Sequence, residues 1–252
     1  LGLYHDYPHK YDAWEIDEYY RNMRAGEAVV EGCVKRIEGA ARCGLKATLR
    51  LGLSVLQQTI WLEAGSKRID FVTEADWGER HKMLRVAFPT TIVAPQAKFE
   101  IQYGYVERAT HDNTKWQYGQ FEVVGQRWAD LSERDYGVAL LNDSKYGYRI
   151  KEGLLELTLL RAPTEPDPVA DLGRHQFTYS LLPHCGDFAD SEVLANAAVL
   201  NQGLVQSVNR AANGVCVPLR VEGDGLELAV IKASEAGGSL VVRVVELRGL
   251  AT

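Results

Sequence analysis

The stretch Leu45-Lys-Ala-Thr-Leu-Arg-Leu-Gly-Leu-Ser-Val55 alternates apolar side chains with polar or small ones. A period of two places neighbouring side chains on opposite faces of a β-strand, so the stretch predicts strand structure with one face on a core. The same alternation returns at 84–88, 155–159 and 226–230, and glycine-containing turn signals punctuate the chain. The pattern favours an all-β fold, a β-sandwich of large sheets, over an α/β fold.

Only a few short helices are expected. Asp190-Ser-Glu192 is typical of a helix start, and the apolar residues that follow keep helical spacing towards Gly203. Residues 12–23 fit either a helix or an irregular packing segment, whereas 164–175 is rich in Pro and Asp and predicts a loop. The apolar run Leu240–Leu247 predicts a strand covered on both faces.

The domain division that we predict is a main sandwich over residues 1–217, followed by terminal strands over 218–252. The dividing stretch, about 205–218, is polar and irregular. The terminal strands either complete the main fold or begin a small appended β unit.

Composition excludes several classes of function. The 252 residues carry a net charge of −6, which argues against a general nucleic-acid-binding surface. No apolar run approaches the ~18 residues that a membrane span needs. The cysteines are irregularly spaced without a CxxC pair, which argues against zinc-ribbon and redox motifs and predicts reduced, mostly buried thiols of a cytoplasmic protein. They are Cys33, Cys43, Cys185 and Cys216. A start at Leu1 instead of Met suggests a fragment.

A longer signature occupies the middle of the chain. It is made of Asp130–Glu133, Tyr136–Tyr148, Leu157–Pro163 and Pro166–Pro168, and shorter pieces such as Val72-Thr-Glu-Ala-Asp-Trp77 precede it in order. Together these segments resemble the C-terminal β-domain of class II α-mannosidases, glycoside hydrolase family 38, in its cytosolic and bacterial branch. The resemblance implies a large two-sheet sandwich similar to the galactose mutarotase-like supersandwich.

The resemblance also implies a division of labour. Family members hydrolyse α-mannosides with retention, and their zinc ion and nucleophile belong to an N-terminal barrel whose motifs cannot be placed on this sequence. We therefore expect a noncatalytic domain that supports this barrel in an enzyme for mannose-containing oligosaccharides and is inactive alone. No catalytic residue, cofactor or metal site is assigned to this chain, and His5 and His9 are separated by Pro8, which opposes a regular helix.

Candidate sugar-binding residues follow the expected strand Val138–Leu141. Amide, carboxylate, amine and aromatic groups at a strand end suit a sugar, and Asn142, Asp143, Lys145 and Tyr146 supply them. A plain polar turn around Gly147 is the alternative. The resemblance adds Arg161 as a residue that lines the pocket, with a salt bridge to Asp167 or Asp171 as its alternative role.

The position of Arg161 depends on strand pairing. A simple hairpin of Val138–Leu141 with Leu155–Leu160 would separate Arg161 from the Asn142 loop, whereas other pairings would bring both to one end. We expect the second arrangement.

Other functions remain open. A free-standing carbohydrate-binding module would need exposed aromatic residues, and a mutarotase-like enzyme would need an acid and a base, for which His111 and His184 are candidates. Trp61, Trp77, Trp116 and Trp128 are expected to be core residues in at least three of the four cases. A domain separated from its barrel should expose an aromatic patch around Trp14, Tyr19 and Tyr20, through which it could self-associate.

Overall fold

The computed structural model describes residues 1–202, 219, 221–223 and 225–249. The strands are β1 (Gly2–His5), β2 (Arg24–Glu27), β3 (Val29–Glu38), β4 (Arg42–Leu51), β5 (Ser54–Glu63), β6 (Ile69–Trp77), β7 (Lys82–Pro89), β8 (Gln96–Ile101), β9 (Gly104–Ala109), β10 (Val123–Val124), β11 (Trp128–Ser132), β12 (Tyr136–Asn142), β13 (Gly147–Lys151), β14 (Leu154–Leu160), β15 (Gly173–Cys185), β16 (Leu226–Ala233) and β17 (Leu240–Glu246). The helices are α1 (Lys115–Gly119) and α2 (Val193–Asn201), with 3-10 turns at Glu18–Asn22 and Phe188–Asp190.

Two large antiparallel sheets form the body of the protein. One has nine strands in the order β3-β4-β5-β6-β15-β12-β11-β8-β9, and the other has six in the order β10-β13-β14-β7-β1-β2. Their inner faces share one core, in which Leu56 and Phe177 of the first sheet pack with Leu84 and Leu157 of the second. The predicted all-β, two-sheet sandwich is confirmed.

The alternating stretch over residues 45–55 spans the end of β4, a turn and the start of β5. Gly52 has a φ of +59° and lets β4 turn back as β5, so Leu53 is exposed on the turn. Leu49 and Leu51 are buried, as the alternation predicts. Leu45 keeps the same phase but is 48% exposed, because the first half of β4 lies outside the shared core.

The chain passes from one sheet to the other mainly at one end of the sandwich, which we call the crossover end. The connections there include residues 78–81, 143–146 and 161–172. Strands β12 and β14 belong to different sheets, so the simple hairpin reading is wrong. Instead, β14 pairs antiparallel with β13, which places the end of β14 beside the start of β13. Arg161 and the loop 143–146 therefore lie at the same end, as expected.

Helix α2 covers part of the outer face of the nine-stranded sheet. Val193 and Ala197 pack on Trp128, Leu182 and neighbouring side chains in a second, smaller core. The predicted helix at this position is confirmed. At the N-terminus only the 3-10 turn Glu18–Asn22 forms, so the irregular interpretation of residues 12–23 is the right one.

The expectation that at least three of the four tryptophans lie in the core is wrong. Trp77 and Trp128 are buried, but Trp61 lies half-buried beneath Arg42 and Trp116 is 77% exposed on α1, a helix that buries no residue. Only two of the four tryptophans named above are therefore core residues.

Cys33, Cys43 and Cys185 are free and exposed, not buried. Cys216 lies outside the described residues, as does the whole of the expected boundary at 205–218.

The C-terminal hairpin also differs from expectation. Strands β16 and β17 pair with each other in a separate two-stranded sheet. Leu240, Val241, Val242 and Val244 are all exposed by 40% or more, because two strands alone cannot cover both faces of β17. The doubly covered strand predicted over 240–247 is therefore wrong.

Candidate functional site

Asn142 shapes the loop at the crossover end. Its side chain is buried, and its Oδ1 accepts from the backbone N–H groups of Ser144 (3.0 Å) and Lys145 (2.6 Å). Its Nδ2 donates to the carbonyl oxygen of Gln126 at 3.0 Å and to the hydroxyl of Tyr148. With both ends of the amide engaged, Asn142 fixes the backbone of the turn in the manner of an Asx turn and leaves contact with a ligand to its neighbours.

The other loop residues face outward. Asp143 is exposed and accepts from the Thr178 N–H at 2.8 Å, which ties the loop to β15. Tyr146 is 57% exposed. Lys145 is half-buried with its Nζ 4.6 Å from the ring centroid of Phe177, and this burial lowers the pKa of Lys145 although nearby carboxylates oppose the shift. The loop thus presents one carboxylate, one amine and one aromatic ring.

Arg161 holds the N-terminal segment in place. Its Nε donates to Asp6 Oδ2 at 2.7 Å, and its Nη2 donates to the carbonyl oxygens of Asp12 (3.1 Å) and Glu15 (2.7 Å). Arg161 does form a salt bridge, as the alternative role predicted, but its partner is Asp6 and not Asp167 or Asp171. Asp6 is 2% exposed; burial raises its pKa, and Arg161 opposes that rise.

A second tie holds the same segment. Asp12 Oδ2 accepts from the backbone N–H groups of Thr164 (2.7 Å) and Glu165 (3.2 Å), and His81 bonds the Thr164 hydroxyl at 2.9 Å. Residues 6–19, which we call the aromatic loop, are therefore fixed from both flanks.

The aromatic loop carries several exposed rings. They are Tyr7, Tyr11, Trp14 and Tyr19, with exposed fractions from 41% to 72%. Tyr20, expected in the same patch, is instead buried: its ring lies 5.2 Å from the Arg85 guanidinium and its hydroxyl donates to Glu122 at 3.2 Å. The expectation is correct for Trp14 and Tyr19 and wrong for Tyr20.

Residues suggested for other chemistries are placed elsewhere. His184 is buried, and its Nε2 is engaged by Asp130 Oδ1 at 2.8 Å on the nine-stranded sheet. His111 follows β9 and is not bonded to this pair. Across the described ranges, no three His, Cys, Asp or Glu side chains group in a way that would hold a metal ion. None of the helices in the described part is long and apolar enough to cross a membrane.

Sequence comparison decides the family. A profile of the glycosyl hydrolase family 38 C-terminal domain matches residues 1–169. The chain belongs to this family.

Curated relatives agree with the match. α-Mannosidase 2C1 of Mus musculus is 39% identical over 98% of this chain, and α-mannosidase G of Dictyostelium discoideum is 40% identical over 96%. The chain spans only 24% and 23% of the length of these two proteins.

Solved structures support the fold of this family 38 domain. An α-mannosidase from Enterococcus faecalis V583 superimposes with a TM-score of 0.73 over 89% of this chain at 17% identity. A second glycosyl hydrolase family 38 protein from Enterococcus faecalis gives a TM-score of 0.74 over 98% at 16% identity. In each case the chain covers about a third of the partner structure, 30% and 34%.

Sequence reasoning missed the hydrogen bonds and the ion pair that organise the crossover end of this family 38 domain. Asp6 and Asp12 are distant in sequence from Arg161 and Thr164, and no local pattern links them. The turn role of Asn142 had a visible signal, because Asn followed by polar residues and Gly is typical of side-chain-capped turns.

Proposed function

We propose that this chain is the noncatalytic C-terminal domain of a retaining α-mannosidase that acts on mannose-containing oligosaccharides in the cytoplasm. The observation that carries the proposal is the crossover end, where the 143–146 loop and the aromatic loop both present polar and aromatic groups to the outside. Nucleophile, acid and zinc ligands would belong to a domain preceding this one. The two carboxyl groups of a retaining enzyme would lie there too.

Within this proposal, the loop after β12 completes the sugar pocket. Asp143 accepts hydrogen bonds from sugar hydroxyls, Lys145 donates to them, and Tyr146 offers an exposed ring. Asn142 holds the turn in shape, and Arg161 acts on the pocket through the aromatic loop, because its guanidinium is engaged by Asp6 and by backbone carbonyls. Precise placement of such contacts is what a catalytic pocket requires.

The aromatic loop is the surface on which the catalytic domain would rest. Exposed Tyr and Trp side chains held on a rigid segment are typical of interface centres. Exposed on a separate domain, the same rings favour self-association of the chain. They also keep a free-standing carbohydrate-binding module as the second candidate, since stacking rings are what such a module needs.

Kinetics distinguish these candidates. The pure chain with added zinc should not hydrolyse p-nitrophenyl α-D-mannoside, and hydrolysis free of contaminating enzyme would overturn the noncatalytic role. In the complete enzyme, Tyr146→Ala should lower kcat/KM by about tenfold, equivalent to ~1.4 kcal/mol. Tyr103→Ala, an equally exposed tyrosine on the β8–β9 turn, should leave kcat/KM unchanged. If the two variants had equal kcat/KM, the 143–146 loop would not belong to the sugar pocket, and the binding-module alternative would be favoured.

A further inference from the structure

His81 lies where the aromatic loop meets the rest of the crossover end. Its backbone N–H donates to the carbonyl oxygen of Ala162 at 2.8 Å, and its carbonyl oxygen accepts from the Asp6 N–H at 2.9 Å. Its ring stacks on Tyr7 of the aromatic loop, with centroids 4.8 Å apart and an interplanar angle of 22°. The backbone and the ring of this one residue thus join the aromatic loop to the connection after β14.

The two ring nitrogens of His81 differ in their surroundings. Nε2 is 2.9 Å from the hydroxyl of Thr164, which can donate to it or accept from it. Nδ1 is buried and makes no hydrogen bond within the described residues, but it lies 3.7 Å from Asp12 Oδ1. The other oxygen, Asp12 Oδ2, is engaged by the backbone N–H groups of Thr164 and Glu165. An unpaired ring nitrogen therefore faces the second oxygen of a carboxylate.

The backbone on both sides of this contact is strained. His81 has a φ of +49°, and Tyr11, directly before Asp12, has a φ of +54°. Both values lie in the left-handed region, which residues other than glycine seldom adopt and which is unfavourable for a bulky side chain. The contact between the two segments therefore holds conformations that the backbone would not keep by itself. A change in the strength of the contact changes how often the loop opens.

We infer that His81 is a pH-sensitive switch that holds the aromatic loop more firmly when its ring carries a second proton. The neutral ring has one N–H and can donate to only one acceptor. In the charged ring both nitrogens donate: Nδ1 to Asp12 Oδ1, and Nε2 to the Thr164 hydroxyl, whose own proton turns to Asp12 Oδ2 at 3.4 Å. The proton comes from solvent, and no covalent bond outside the ring N–H changes.

The charged ring gains two attractions. A charge-assisted hydrogen bond closes the separation of 3.7 Å between Nδ1 and Asp12 Oδ1 to about 2.8 Å. The stacked Tyr7 ring attracts the cation through its negative face. Both partners belong to the aromatic loop, so each attraction favours the closed position of that loop.

Asp12 is the carboxylate that responds to the proton, because the other charged groups of the neighbouring segments have partners of their own. These pairs are Asp6 with Arg161, Glu79 with Lys82, and Arg80 with the carbonyl oxygen of Pro168. Glu165 is exposed and meets Asp12 through its backbone N–H. The remaining titratable neighbours are Tyr7 and, stacked on Tyr7 with centroids 6.0 Å apart, His5.

Hydrogen–deuterium exchange of the chain at about pH 5.5 and about pH 8 tests the inference, since histidine is the side chain that ordinarily changes charge across this range. The reporters are the backbone N–H groups of Trp14 and Glu15, which donate to the Tyr11 carbonyl oxygen at 2.8 and 3.0 Å. After correction for the intrinsic exchange rate, their protection should be about threefold higher at the lower pH, the size expected of one partly exposed ion pair.

Two variants remove the switch and one leaves it in place. His81→Asn should abolish the pH dependence, and Asn is chosen because it tolerates the left-handed backbone at this position. Asp12→Asn should abolish it as well, since an amide forms no ion pair, and this variant decides the question if the first does not fold. His9→Asn is the matched control, because His9 is exposed on the same loop without a side-chain partner in the described part of the chain. It should keep the full pH dependence.

The outcomes separate this inference from the proposed function. Equal protection at the two pH values in the parent chain overturns the switch. A pH dependence that survives in His81→Asn or in Asp12→Asn, or that is lost in His9→Asn, overturns it too, because the proton would then act at another residue such as His5. None of these measurements involves a sugar or catalysis. The switch can therefore fail while the proposed function stands, and the enzyme kinetics can fail while the switch holds.

Discussion

Replacing Arg161 with Ala should destabilise the protein through the carboxylate that it leaves behind. Asp6 is 2% exposed and has Arg161 Nε at 2.7 Å as its ion-pair partner. Removing one member of a buried pair costs ~3–5 kcal/mol, because the other charge stays desolvated and uncompensated. Arg161 itself is 19% exposed, so we take the lower end, about 3 kcal/mol. For a domain of this size that is a fall in Tm of roughly 6–12 °C.

The pH dependence of Arg161→Ala identifies the cause. Burial raises the pKa of Asp6, and loss of Arg161 removes a charge that opposed the rise. A carboxyl whose pKa is raised in the folded state binds more protons there than in the unfolded state. The free energy of unfolding is therefore unaffected below the unfolded pKa, about 3.9, and falls as pH rises through the folded pKa. The penalty of the variant should therefore be small in acid and complete at neutral pH.

Urea unfolding followed by tryptophan fluorescence measures this difference. Asp6→Asn in the Arg161→Ala background should recover at least half of the loss at neutral pH, since no buried charge remains. Arg134→Ala, an exposed arginine without a partner among the described residues, should change stability by less than about 0.5 kcal/mol. A pH-independent loss for Arg161→Ala, with no recovery on adding Asp6→Asn, would refute the reasoning.

Three other predictions concern single positions. Asn142→Ala should lower the free energy of unfolding by about 2–3 kcal/mol, because the loop N–H of Lys145 and the hydroxyl of Tyr148 lose their buried hydrogen-bond partner. An unchanged urea midpoint would contradict this. Burial by itself lowers the pKa of His184, but the hydrogen bond and charge of Asp130 raise it overall. The pair therefore stabilises the fold fully below the unfolded pKa, about 6.5, and loses this contribution as pH rises through the folded pKa. The stability difference between the parent and His184→Gln should shrink over that range, and a constant difference would argue against the pair. Trp14→Ser should reduce self-association, measured by analytical ultracentrifugation, more than Trp116→Ser does. Equal effects would contradict self-association through the aromatic loop.

The sequence by itself determined the fold class and the family. Alternating stretches such as 84–88 and 155–159 specify strands wherever they occur, because a period of two buries one face of any sheet. The ordered signature from Asp130 to Pro168 was long enough to point to the family 38 C-terminal domain, which the match over residues 1–169 confirms. The candidate loop was located from its residue types, before any pairing was known.

Only the tertiary structure decided the role of each residue in that site. Local pattern cannot tell that β12 and β14 belong to different sheets, since both read as strands of one hairpin. It cannot tell that Arg161 binds Asp6, because nothing in sequence spacing encodes a contact between residues so far apart. Burial also depends on tertiary structure. Leu45 and Leu49 point to the same face of β4, but only Leu49 packs in the core shared with the opposite sheet. Strand formation depends on neighbouring residues, whereas register, burial and ion pairing depend on which distant strands meet.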